Sequence, residues 1–319
     1  MKLKIFKLIN QKFLFYINRI NILKSKFFKE VLILSSGTFI AQIIPVLISP
    51  ILTRLYLPSD FGVLALFTSI TSILGIIATG RYELAIILPE KDEDAINVAA
   101  VGFLFNLIIN SLFFILILFF NKFLLKLLKA ETLSFWIYFV PLTVFFIGIF
   151  NILNYTNNRL KLYKDISKTN VLKSIIMSLI QFLSGILKMG ENGLILANIS
   201  SQITANTNLF LNIKKRGLIN EIKKEKIKYN FFKYIRFPKY TMLSSFIQVS
   251  TFQLIIPLIK IFFNDEILGN YYLVQRTIGL PIQIISSAFS MVYFNNATKI
   301  YNEKGEYFEF SKKIFILIF

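Results

Sequence analysis

The sequence predicts an all-α polytopic membrane protein, and three observations carry that fold class. Apolar residues make up 55% of the 319 positions and recur in runs far longer than a soluble core helix needs. Lys and Arg crowd into every second loop, as the positive-inside rule requires of a chain that crosses a bilayer repeatedly. No Asp or Glu falls near the middle of any apolar run, where lipid would make it costly.

A span takes about 20 mostly apolar residues. Eight complete candidates lie near 31–53, 61–80, 97–120, 133–153, 171–188, 193–213, 241–262 and 271–292, and a ninth begins at Ile314 and meets the last residue, Phe319. The expectation is therefore of a C-terminally truncated chain. Residues 1–30 form a basic cytoplasmic amphipathic segment, without the apolar run or cleavage site of a removed signal. Residues 31–213 hold six spans, 214–240 a basic cytoplasmic connection, and 241–319 the start of a second set.

The chain has no Cys and no His, which removes disulfides, Cys/His zinc sites and catalysis by a His base or Cys nucleophile. No metal, cofactor or catalytic residue is expected. A net charge of +19 could suggest nucleic acid, but its distribution fits orientation in a membrane. Lys and Arg number 8 in residues 1–30, 2 in 81–96, 4 in 154–170, 10 in 214–240 and 4 in 293–313, against five in the intervening loops. The N-terminus and the 214–240 segment are thereby placed in the cytoplasm, facing anionic lipid headgroups.

Two stretches read as copies: "FFKEVLILSSGTFIAQIIPVLI" and "RFPKYTMLSSFIQVSTFQLIIPLI" share a basic lead-in, paired serines, Gln and then Pro45 or Pro257. The loops after them, "LPSDFGVLAL" and "DEILGNYYLV", set Gly62 and Gly269 just before the next predicted helix. Six intervening spans give the two copies the same orientation, as a parallel repeat requires.

Polar residues within spans mark faces turned to other helices or to a wet cavity. At 100° per residue, Ser35, Thr38, Gln42, Ser49 and Thr53 share an arc of about 60°, and Thr68, Thr71, Ser72, Gly75 and Thr79 one of about 100°. The seventh span repeats the pattern with Thr241, Ser244, Ser245, Gln248 and Thr251. In the eighth, Tyr272, Gln275, Arg276, Gly279, Gln283, Ser286, Ser287 and Ser290 share about 120°. Arg276 costs at least about 2.5 kcal/mol at mid-membrane, so a polar cavity is one host for it; the other is the outer headgroup layer, about 9 Å away, reached by snorkelling.

Lys260 is expected to snorkel at the outer end of the seventh span. Arg54, at the end of the first, anchors the helix or guards an outer vestibule. Glu83 continues the polar stripe of the second span while Arg81 falls on its opposite face, which argues against a helical pair. Glu90, Asp92, Glu93 and Asp94 read as a solvated loop at a helix N-terminus.

The segment "LSSGTFIAQIIPVLISPILTRLYLPSDFGVLALFTSITSILGIIATGRYELAIILP" resembles the opening spans of bacterial oligosaccharide flippases of the polysaccharide biosynthesis family, and "GNYYLVQRTIGLPIQIISSAFSMVYFNNAT" resembles their eighth span. The resemblance covers nearly all of residues 30–319. It implies the fold of the multidrug and toxic-compound exporters, two six-helix lobes around a cavity that opens alternately to either side, with the first lobe complete and the second partial. It implies transport of an undecaprenyl-pyrophosphate-linked oligosaccharide from the cytoplasmic to the outer leaflet of the bacterial inner membrane, for O-antigen or capsule. The implied partners are that lipid-linked oligosaccharide, membrane lipids and other polysaccharide-assembly proteins, with no nucleic acid. Arg276, with Gln275, Gln248 and Gln42, would line the route and Arg54 its outer mouth, because a guanidinium matches phosphate oxygens. A multidrug exporter of the same fold and a membrane glycosyltransferase or polymerase stay open as alternatives. The former would favour an acidic cavity; the latter needs acids that the short outer loops supply only as Asp60, Glu131, Glu191, Asp265 and Glu266.

Overall fold

A computed structural model describes residues 26–279 and 306–318, with Ile282 and Ile300, and of these the side chains from Ser36 onward except at 313 and 316–318. The amphipathic segment expected over residues 1–25, and the stripe positions Ser35, Gln283, Ser286, Ser287 and Ser290, lie outside the described side chains. All regular structure among the described residues is helical. The helices are α1 Lys26–Leu55, α2 Pro58–Ala78, α3 Tyr82–Ala85, α4 Asp92–Leu127, α5 Val140–Arg159, α6 Tyr163–Ile186, α7 Glu191–Lys214, α8 Lys224–Lys233, α9 Met242–Gln253, α10 Ile255–Phe262, α11 Asp265–Val274 and α12 Phe308–Ile318.

Five helices are long and apolar enough to cross a bilayer, and α9 with its π-helical lead-in and α10 form a sixth, bent by 40° at Leu254. The predicted seventh span is thus a broken helix. At 24 residues α7 is about 36 Å long, enough to cross, but Asn192, Asn198, Gln202, Asn206, Asn208 and Asn212 keep it from matching the apolar five. Its amides work inside the protein: Asn206 donates to the Phe146 carbonyl at 2.9 Å and Asn192 accepts from the Trp136 indole at 2.7 Å. Lipid does not penalise exposed apolar surface, so Phe119 is 80% exposed on α4 without cost.

Three spans end alike. Lys129, Lys161 and Lys188 adopt left-handed φ of 48°, 57° and 53°, and the next residue bonds back to Leu125, Asn157 or Ser184. This is the Schellman closure, with a lysine at the negative end of the helix dipole.

Two apolar clusters stack along the bundle. One gathers Leu52, Phe61, Phe67, Trp136, Val144 and Ile195; the other gathers Tyr82, Val98, Ile152, Ile166 and Leu209. The basic segment after α7 is strapped to α4. Asn97, fully buried, donates to the Glu221 carbonyl at 2.9 Å and accepts from the Lys223 N–H at 2.8 Å. Lys226 meets Asp94 at 2.9 Å and Glu93 at 3.5 Å, and the carboxylate of Asp94 raises its pKa. The Tyr82 hydroxyl reaches the Phe231 carbonyl at 3.0 Å. The acids read as a solvated loop therefore also hold α8, while Asp92 takes Arg159 at 3.0 Å.

The pairing of Arg81 and Glu83 needs correction. Gly80 and Arg81 both have positive φ, 59° and 60°, so α2 stops at Ala78 and the chain folds back. Arg81 then bonds Glu83 at 3.1 Å, and Thr79 donates to the same, almost fully buried carboxylate. Helical angles do not apply across that break. Lys260 also departs from the snorkelling expectation. It is 6% exposed and pairs with Asp265 at 2.6 Å across the α10–α11 turn, because the turn brings a carboxylate within reach.

Candidate functional site

The two predicted copies pack on each other. Helices α2 and α11 each carry their glycine at the fifth position, inside the helix and not before it, because both helices start four residues ahead of it. A Cβ on Gly62 would overlap the carbonyl oxygen of Asp265, and one on Gly269 would overlap that of Pro58. Pro58 and Asp265 are the first residues of their helices, so the contact is reciprocal.

Moving along the same two helices, the twelfth position in each reaches the opposite copy. On α2 it is Ser69, 1% exposed, whose Oγ donates to the Gln253 carbonyl at 2.8 Å. Its counterpart is Arg276, in a π-helical turn, Gln275–Gly279, that continues α11. Nη2 of Arg276 donates to the Pro45 carbonyl of α1 at 3.1 Å and to Gln181 Oε1 of α6 at 3.5 Å. Such π turns widen a helix locally and recur at functional sites.

Arg276 is 6% exposed and lies about 16 Å along the helix from Asp265, deeper than a start at residue 271 implied. Among the described residues no carboxylate pairs with it. Among the described residues its bonds run from Nη2 to two neutral oxygens, and Nε and Nη1 bond none of them. A guanidinium carries five N–H donors in a planar fork that matches the oxygens of an anion.

The other predicted residues sit differently. Gln42 is half-buried on α1, three residues before Pro45, while Gln275, Gln248 and Arg54 are exposed. No hydrogen bond joins any two of the five among the described residues. Several hydroxyls of the predicted stripes serve their own helices: Ser49 donates to Pro45 O at 2.7 Å, Thr68 to Leu64 O at 2.9 Å and Thr71 to Phe67 O at 3.0 Å, the usual i−4 back-bond.

Sequence reasoning missed Gln181. It is 2% exposed, and its carbonyl accepts from the Tyr56 hydroxyl at 2.6 Å, which also meets Ser184 Oγ at 2.9 Å. The signal was present in α6, where Ser174, Ser178, Gln181 and Ser184 follow helical spacing.

A family model of polysaccharide biosynthesis proteins matches residues 51–318, a stretch that holds both glycines, Gln181 and Arg276. The chain belongs to the polysaccharide biosynthesis protein family. No curated protein and no solved structure matches it. As a family member with several apolar helices, it is a multi-pass membrane protein that takes part in polysaccharide biosynthesis or export. The all-α polytopic class read from the sequence holds.

Proposed function

We propose that this protein is a flippase and not an enzyme: it carries an undecaprenyl-pyrophosphate-linked oligosaccharide repeat unit from the cytoplasmic to the outer leaflet of the bacterial inner membrane, for O-antigen or capsule assembly. The observation that carries this reading is Arg276, a permanent cation buried where the second copy meets the first, held by two neutral oxygens. A pyrophosphate cannot enter hydrocarbon unaided, and its oxygens match the donors of a guanidinium, of which Nε and Nη1 bond no described residue. Gln181 presents the arginine, and Gln42 stands three residues from its carbonyl partner. The prenyl tail stays in lipid while polar side chains meet sugar hydroxyls.

The outer ends of the copies meet at Gly62 and Gly269, so this arrangement corresponds to closure on that side, with the basic N-terminal and 214–240 segments in the cytoplasm. The partners are the lipid-linked oligosaccharide, bilayer lipids and other assembly proteins. The test is complementation: the gene for this chain is expressed in a panel of bacteria lacking their own flippases, and surface polysaccharide is scored. Restored surface glycan in at least one host supports the proposal. Membrane-inserted protein with lipid-linked glycan still trapped inside in every host contradicts it.

A further inference from the structure

Away from Arg276, a cavity of ≈ 560 Å³ opens at the α5–α6 turn and takes in Asp92, Asn158, Arg159, Lys161, Tyr163 and Arg216. Three cations and one carboxylate line it, and their roles differ. Arg159 is fully engaged: Nε bonds Asp92 at 3.0 Å, Nη1 bonds the carbonyls of Ile87 (2.8 Å) and Pro89, and Nη2 that of Glu90 at 2.8 Å. It therefore builds the wall and cancels Asp92. Lys161 and Arg216 are exposed, and among the described residues neither has an ion-pair partner. The cavity keeps two positive charges that no described carboxylate neutralises.

Three features aim those charges at one ligand. Lys161 stands where the closed end of α5 meets the start of α6, whose first turn carries its own carboxylate, Asp165. Asn158 and Tyr163 add neutral donors, while Ile87 and Leu160 supply an apolar edge. The cavity also lies on the side of the bundle that carries the basic loops, just beyond the apolar length of α5 and α6, where a crossing by those helices would set it among the headgroups. An anion with an apolar body next to it is the chemistry of a phospholipid headgroup; basic pockets at such positions suit anionic lipids.

We propose that this cavity binds the phosphate of an anionic phospholipid, with Lys161 and Arg216 as its cationic contacts and Asn158 and Tyr163 as neutral donors. The site is separate from Arg276 and does not depend on the flippase reading. Occupancy would tie the loop wrapped by Arg159 and the turn after α7, which carries Arg216, to the bilayer surface.

The experiment is native mass spectrometry of the purified, delipidated chain, titrated with phosphatidylglycerol or phosphatidylcholine, and separately with inorganic phosphate as competitor. Each Lys or Arg near an anionic surface contributes enough that losing both should weaken the phosphatidylglycerol adduct about thirtyfold. The proposal expects that loss in K161Q/R216Q, retention in K161R/R216K, and no change in K224Q/K228Q, which removes two exposed lysines of α8 and controls for net charge. Only variants that melt like the wild type in zwitterionic micelles are compared, with the single substitutions K161Q and R216Q replacing the double if it fails that check. Competition by millimolar inorganic phosphate would assign the pocket to free phosphate and overturn the lipid. Equal binding by wild type and K161Q/R216Q, or equal loss in K224Q/K228Q, would overturn the site.

Discussion

Gly62 and Gly269 meet as mirror positions: each is the fifth residue of its helix, and each gives up its side chain to the first-residue carbonyl of the other helix. A residue larger than Gly has no space there. Gly62→Ala and Gly269→Ala force the backbones apart, and overpacking of this kind costs about 1–3 kcal/mol. Ser69, buried beneath the contact, reports the separation. In this naturally Cys-free chain, Ser69→Cys should react with an impermeant thiol reagent about tenfold faster in either alanine background, since each 1.4 kcal/mol is a factor of ten. Unchanged labelling would mean that the glycines do not hold this side shut.

Lys260 and Asp265 form a pair with side-chain exposures of 7% and 15%. Removing one partner of such a pair strands a buried charge and costs about 3–5 kcal/mol. Asp265→Ala should lower the melting temperature in detergent sharply, and the double variant Lys260→Met, Asp265→Ala should recover most of the loss. Equal destabilisation by single and double variants would show that packing, not charge, matters there.

Asn97 holds the basic segment after α7 with one side chain, accepting from Lys223 N–H and donating to Glu93 and Glu221 carbonyls. Asn97→Ala leaves those groups unpaired at about 1–3 kcal/mol. In inside-out vesicles, trypsin should cut within 214–228 about tenfold faster in Asn97→Ala. Asn97→Asp keeps the acceptor for Lys223 and should lie between. No change in cleavage would mean that residues 218–233 are held by other contacts.

Several features were legible in the sequence because one element carries the whole signal. Apolar length placed the helices, and the shared Gly in "DFGVLAL" and "ILGNYYLV" marked the two copies that pack together. Arg276 stood out because a charge inside an apolar run needs a host. The rest depends on what one helix brings to another. Gln181 matters only because α6 lies across from the π turn, and several of the Thr and Ser hydroxyls that helical angles place on one face bond their own backbone. Arg81 escaped because two left-handed residues end the helix before it. Lys260 escaped because its partner sits beyond a turn whose geometry is set by packing against α2.

The central claim is that Arg276 meets the anionic carrier, and its most direct test is complementation by Arg276→Ala and Arg276→Lys at equal membrane abundance, in a host rescued by the wild type. The account predicts that Ala abolishes surface polysaccharide and that Lys, a point charge without the planar fork, restores it in part. Rescue by Arg276→Ala equal to the wild type would contradict it, leaving Arg276 as a tie between α1, α6 and α11 with no part in carrying the substrate.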